Sequence, residues 1–355
     1  MIIITAPSLN PDENVSGISS VARFVIENNH QDNYLHFQIG KKDNEDGKIL
    51  HVLLNTISRY RSWKKFLKHH SDALIHYSYP LSGKSIVRDF FFMDYAHRHH
   101  RKMVIHLHGG IYLNQLSIPA LMRTILQHVF SWGCPIIVLS DEEKTKIESM
   151  FSAKNVYVLP NSVDIPSRED SERNFVKLKE FHLLYLGRIE VNKGMDYLLE
   201  ACKKLKDKGL PFVLHMAGKE EVSNQYVPRF EEALGPHFIY EGVVTGERKS
   251  ELLKKCDIFV LPSFFEGLPM SLLECMSYGM IPVTTSVGSI PSVVNDNNGC
   301  LIPLKNYDTI VDSLSFLLKD RTYAQQLSDN AAKTIRDKFS PNDYIEGLNK
   351  IYTLC

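Results

Sequence analysis

The stretch Asp257–Pro291 constrains the chain most, because it reads as strand, loop, helix and strand in immediate succession. Asp257–Leu261 is a short apolar run of strand length. Gly267 and Pro269 put Glu266 in a turn. From Met270 a helix is predicted, with Ser271 as its cap, Leu272, Leu273 and Met276 as its apolar face, and Gly279 as its stop. Ile281–Thr285 is the next strand. Such a βαβ unit belongs to an α/β sheet, and open α/β sheets bind ligands outside the carboxyl ends of their strands. Glu266 stands at that end. Glu274 follows with seven residues between, expected in the first turn of the helix. Two carboxylates so spaced suit the hydroxyls of a sugar and a ribose. Their plain alternative is a solvated turn glutamate and a dipole-favoured helix glutamate.

The same grammar recurs along the chain. Ile2–Ala6 is a buried strand, Ser8–Ser16 a polar loop, and Gly17 precedes a helix over Ile18–Asn28. Gly17 lets amides at a helix start approach an anionic ligand, or is a simple turn glycine. Met103–Leu107 ends on His108-Gly109-Gly110, so His108 lies where α/β ligands bind. His106 shares its sheet face by the period of two and reads as a deeper structural histidine. His182–Leu186 is followed by Gly187-Arg188 and by Lys193-Gly194 before another helix. Gly187 allows close approach, Arg188 supplies a planar fork of donors and Lys193 a point charge. Phe212–Ala217 ends on Gly218, a further turn at the ligand end of a strand.

Composition narrows the class. A length of 355 residues with 44% hydrophobic content supports two domains, each with its own core. The net formal charge is zero, which carries no whole-chain signature of nucleic-acid binding. Six scattered cysteines form no C-x-x-C pair, so neither zinc nor a disulfide framework is indicated, and H-x-H at 106–108 lacks a third metal ligand. The N-terminal apolar run has no basic flank, and no run approaches the ~20 residues of a membrane span. The expected location is cytoplasmic.

One region is unevenly charged. Residues 47–105 carry eleven Lys and Arg against three Asp and Glu, with seven His. After the charged turn Lys41–Lys48, Ile49–His70 has helical spacing and a basic second half. Trp63 and Phe66 among those cations predict contact of residues 59–70 with anionic lipid. An ordinary helix with its apolar side in the core is the alternative.

The stretch E-G-L-P-x-S-L-L-E-x-M-x-x-G-x-x-P-V from Glu266 resembles the donor signature of the retaining GT-B glycosyltransferases with the E-x7-E motif, the glycosyl transferases group one type (glycosyltransferase family four). The segment G-R-x-x-x-x-K-G at 187–194, the H-G pair at 108–109 and the turn PNSVD at 160–164 are similar to that family as well. Ser16-Gly17 stands where the family usually has two glycines, and Ser162 where it has one. The resemblance implies two Rossmann-like domains facing each other across a cleft. Residues 1–165 would bind the acceptor, with a C-terminal helix over 340–355 packing back on them, and residues 166–339 the donor. The polar stretch 165–179 reads as the linker.

It further implies transfer of a hexose or N-acetylhexosamine from a nucleotide-diphosphate sugar to a glycan or lipid-linked acceptor, with configuration retained and no metal required. UDP is favoured over GDP. By the same resemblance Glu266 holds the sugar, Glu274 the ribose, and Arg188 and Lys193 the leaving diphosphate. His108 lines the reaction centre. Gly17, Gly187, Gly218, Gly267 and Leu268 complete the donor contacts. Rival readings are a UDP-sugar epimerase on this fold, a non-catalytic nucleotide-sugar-binding subunit, and a nucleic-acid binder using residues 47–105.

Overall fold

The computed structural model describes residues 1–40, 49–114, 117–221 and 225–355. The charged turn expected over Lys41–Lys48 lies outside them. The chain forms two compact units, residues 1–161 with 342–355, and residues 162–341.

The first unit is a six-stranded parallel sheet of β1 (Ile2–Ala6), β2 (Tyr34–Gln38), β3 (Leu74–Tyr79), β4 (Met103–Leu107), β5 (Ile136–Val138) and β6 (Val156–Val158). The strand order is β2-β1-β3-β4-β5-β6. β1 sends its chain to β2 on one side while β3 lies on the other, so the loops after β1 and β3 diverge at a topological switch point. β1 (IIITA) and β5 (IIV) are near-continuous aliphatic runs, as strands covered on both faces tend to be, whereas β2, β3 and β4 each carry a histidine. One face packs Ile3, Ile75, Tyr77, Ile105 and Leu107 into the core.

The opposite face carries histidines. Alternation puts His106 and His108 on one side of β4 and its extension, and the register of His76 with Val104 places His76 there too. The C-terminal helix Pro341–Tyr352 covers this face. Its Tyr352 hydroxyl lies 2.6 Å from His76 Nδ1, and its Asn349 Oδ1 accepts from Asn29 Nδ2 at 2.7 Å.

The helix Ile49–His69 corrects one expectation. Trp63 is fully buried and donates its Nε1–H to the Phe92 carbonyl at 2.9 Å. Phe66 packs on Phe37 with ring centroids 5.1 Å apart. Neither ring is a membrane anchor: helical period turns both toward β2 and the helix Gly83–Arg98. The exposed apolar side chains of this helix are instead Val52, Leu53, Leu54 and Ile57, about two to three turns before Trp63.

The second unit repeats the architecture with β7 (Phe181–Leu186), β8 (Phe212–Ala217), β9 (Phe238–Gly242), β10 (Ile258–Leu261), β11 (Ile281–Thr285) and β12 (Cys300–Ile302). Its order is β12-β11-β10-β7-β8-β9. The switch point lies between β7 and β10, which pair through Ile258 with Leu183 and Phe259 with Leu184.

The stretch 165–179 is not a free linker. Ser167 caps the short helix Arg168–Ser171. Phe175 is fully buried and meets Phe181 edge to face at 5.8 Å. Arg173 donates to the Tyr278 carbonyl at 2.9 Å. Polar composition concealed one buried aromatic anchor and an arginine that satisfies carbonyls of neighbouring helices.

Candidate functional site

In the second unit the residues singled out from sequence collect at the β7/β10 switch point. β7 delivers Gly187 and Arg188 at its carboxyl end, and a 3₁₀ turn, Val191–Lys193, leads into the helix Met195–Asp207. β10 delivers the loop 262–269 carrying Glu266. Lys193 Nζ donates to Glu266 Oε1 at 2.7 Å, with the side chains 21% and 10% exposed. Residues 73 apart in sequence thus form one ion pair, withdrawn from water enough to matter but still reachable by a ligand.

Two glycines make this closeness possible. Gly218 has φ +142°, and a Cβ there would stand 1.8 Å from the Gly187 carbonyl oxygen. Gly288 has φ +56°, and a Cβ there would stand 2.2 Å from the Glu266 carbonyl oxygen. Neither position admits another residue without moving the backbone. The Glu266 loop is further held by Phe264 N–H to Asn192 O and Ser289 N–H to Gly267 O, both at 2.9 Å. Leu268, expected among the donor contacts, has its side chain buried in the core.

Sequence reasoning missed two neighbours. Tyr185 is fully buried beneath the loop and donates its hydroxyl to the Arg188 carbonyl. Burial, and then the charges of Glu266 and Glu190, push its phenol well above the ordinary range. Glu190 is itself raised by burial, against the lowering pull of Lys193. Its place inside the G-R-x-x-x-x-K-G segment was the available signal.

Glu274 departs from expectation in one detail. The helix is Met270–Ser277 and is entered through Pro269, whose carbonyl accepts from Leu272 N–H at 3.2 Å. Ser271 lies inside the helix rather than capping it. Glu274 therefore sits in the second turn. Its Oε1 accepts from Lys249 Nζ at 2.6 Å. Lys249 belongs to the helix Gly246–Lys255 and no motif pointed to it.

The turn at Glu241-Gly242 closes β9. Gly218 N–H donates to Gly242 O at 2.7 Å. His215 Nδ1 lies 2.8 Å from Glu241 Oε1, and His182 Nδ1 lies 3.0 Å from His215 Nε2. Burial lowers both imidazoles below their usual range.

In the first unit, His108 follows β4 and Gly17 follows the β1 loop, with β3 in the sheet between those strands. Gly17 opens the helix Gly17–Asn28, and Ser16 caps it by accepting from Ser19 N–H at 3.3 Å. A Cβ at Gly17 would meet open space, so no protein contact demands glycine there.

His108 stacks on His106 with ring centroids 4.1 Å apart. His106 Nδ1 lies 3.1 Å from His76 Nε2, which continues the chain to Tyr352. Among the described residues the Nε2 atoms of His106 and His108 are both buried without a hydrogen-bond partner. Burial, then the neighbouring imidazoles, pushes His108 down to about 3 and His106 well below its usual value, and burial alone takes His76 to about 3. A neutral His108 offers one N–H and one lone pair and carries no charge.

Two six-stranded parallel sheets with their helices define the GT-B fold class. Solved structures agree. The sucrose-phosphate synthase of Thermosynechococcus elongatus superposes with a TM-score of 0.81 over 99% of this chain and 98% of its own, at 15% identity. Anabaena HepE in complex with UDP gives 0.74 over all of both chains at 16% identity. Residues 166–334, nearly the whole second unit, match the family described as Glycosyl transferases group 1. The N,N'-diacetylbacillosaminyl-diphospho-undecaprenol alpha-1,3-N-acetylgalactosaminyltransferase of Campylobacter jejuni is 27% identical over 244 residues, 63% of this chain and 63% of that protein. The chain spans 66% and 63% of the lengths of two curated relatives it matches. The second unit thus matches the Glycosyl transferases group 1 family, and the chain has the GT-B fold.

Proposed function

We propose that the protein is a retaining hexosyltransferase. It takes a hexose or N-acetylhexosamine from a nucleotide-diphosphate sugar, a UDP-sugar in preference to a GDP-sugar, and joins it to a hydroxyl of a glycan or lipid-linked saccharide. The setting is bacterial surface polysaccharide or glycolipid synthesis. The observation that carries this reading is the Lys193–Glu266 pair beside Arg188 at the β7/β10 switch point.

The chemistry follows from the charges. The bond from the sugar's anomeric carbon to the terminal phosphate oxygen breaks, and negative charge grows on that oxygen. Arg188 and Lys193 stabilise it, as preorganised cations do at developing anions. Lys193 leaves Glu266 for the phosphate, and Glu266 turns to the sugar hydroxyls. The acceptor oxygen bonds to the anomeric carbon on the face being vacated, and its proton passes to the leaving phosphate. The products are a glycoside and a nucleoside diphosphate. No side-chain base and no metal enter this scheme. His108 orients a hydroxyl as a neutral donor and acceptor.

The UDP-bound structure of HepE and the undecaprenol-linked substrate named for the Campylobacter relative support the donor and acceptor classes. Contact with an anionic membrane is part of the same reading. On the helix Ile49–His69, exposed Leu54 and Ile57 are followed on one face by exposed Arg61, Lys65 and Lys68. No helix among the described residues is long and apolar enough to cross a membrane.

The test is a thermal-shift panel of UDP, GDP, ADP and their common sugars without added metal. A rise confined to the uridine compounds and lost in Lys193→Ala is expected. No shift with any nucleotide would sink the reading, and turnover of the sugar nucleotide without an acceptor would favour an epimerase.

A further inference from the structure

The second carboxylate of the site has a partner that no motif assigns. Lys249 Nζ and Glu274 Oε1 are 2.6 Å apart, with side chains 28% and 21% exposed. The lysine comes from the first turn of the helix Gly246–Lys255, and that turn is fixed from two sides. Arg248 Nη2 donates to the Glu241 carbonyl at 2.7 Å, on the turn that closes β9. Lys249 reaches the helix Met270–Ser277, which follows the Glu266 loop. Adjacent residues thus tie one helix end to both flanks of the donor site.

The pair leaves complementary groups open. Glu274 Oε2 takes no hydrogen bond from the described residues, and Lys249 spends only one of its three N–H donors on the carboxylate. A lone carboxylate only accepts. A carboxylate with an ammonium at its side accepts from one hydroxyl and donates to the oxygen of the next. That pattern matches two adjacent hydroxyls on a five-membered ring, each of which donates and accepts.

We infer that Lys249 is a positioning and specificity residue. It holds one oxygen of Glu274 and, with the other, makes the pair a reader of the vicinal diol of a ribonucleotide. The inference rests on the assignment of Glu274 to the ribose made above.

The experiment measures dissociation constants of UDP and 2′-deoxy-UDP, with GDP and 2′-deoxy-GDP beside them, for the wild type, Lys249→Met and Lys249→Gln. The Lys249 side chain is 28% exposed, and Gln keeps a neutral donor in its place should the Met variant not fold. The wild type is expected to prefer the ribonucleotide by at least about tenfold, the worth of one good charge-assisted hydrogen bond. In Lys249→Met that ratio should collapse to about threefold or less while 2′-deoxy-UDP binds nearly as before. Equal weakening of both nucleotides, with the ratio kept, would overturn the inference and leave Lys249 a structural cation. A wild type that does not distinguish the two sugars would instead overturn the ribose assignment of Glu274, and the role of Lys249 with it.

Discussion

Mild acid should unfold the first unit through its buried histidines. His76 and His106 are both buried, and burial holds His76 at about 3 and His106 well below the ordinary value. In the unfolded chain each imidazole titrates near 6.5. The folded pKa is the depressed one, so as pH falls the unfolded state takes up protons first. The stabilisation is fully present above about pH 6.5 and is lost progressively below it. At about pH 5.5 each unfolded imidazole is about ten to one protonated while its folded counterpart stays neutral. That costs about 1.4 kcal/mol per histidine, or about 3 kcal/mol for the pair.

Urea titrations between about pH 7.5 and about pH 5.5 measure this, and the protein supplies its own probe. Its two tryptophans, Trp63 and Trp132, both lie in the first unit, so their fluorescence follows that unit alone. Other groups titrate in the same range, and the double variant His76→Gln/His106→Gln subtracts them. Its stability should fall with pH less steeply than the wild type, by up to about 2.7 kcal/mol per pH unit. Parallel wild-type and variant profiles would refute the reasoning, because they would mean that the two imidazoles protonate as easily folded as unfolded.

Gly288→Ala should lower transfer by about 10²-fold at unchanged helix content, since a Cβ 2.2 Å from the Glu266 carbonyl displaces that loop; circular dichroism with a transfer assay checks it. Lys193→Ala should weaken nucleoside diphosphate binding by about tenfold or more, read by calorimetry, through loss of a charge-assisted bond to phosphate. Trp63→Ala should cost about 3–5 kcal/mol of first-unit stability without altering liposome binding, because the ring is core. Lys65→Glu with Lys68→Glu should weaken binding to anionic vesicles by at least about 30-fold at about 1 kcal/mol per cation, and binding equal to that of neutral vesicles in the wild type would remove the membrane contact.

Local pattern carried a good deal of this molecule. Apolar runs bounded by Gly and Pro marked the strands, because a parallel strand buried on both faces must be continuously hydrophobic. The positions of Glu266, Arg188 and Lys193 at or beside strand ends were legible from spaced motifs, whereas Glu274 falls a turn further into its helix than the sequence suggested. The polar segment 165–179 misled, because the side chains that bind it to the second unit are single residues, Phe175 and Arg173, in a charged background. Trp63 misled for a related reason. Cations beside an aromatic describe a helix, but not which way the helix is rotated against its neighbours.

What the chain determined by itself is where strands stop, where glycines allow sharp turns and which charges stand at those stops. The tertiary structure decided partnership. Strand order in the second sheet set Lys193 on Glu266 across 73 positions of sequence, and helix placement set Lys249 on Glu274 across 25. In the first unit the C-terminal helix brought Tyr352 to His76 across 276 positions. The physical reason is that propensity and hydrophobic period act over a few residues. Which charge finds which carboxylate depends on how the sheet is ordered and which helix covers it, and those are properties of the packed whole.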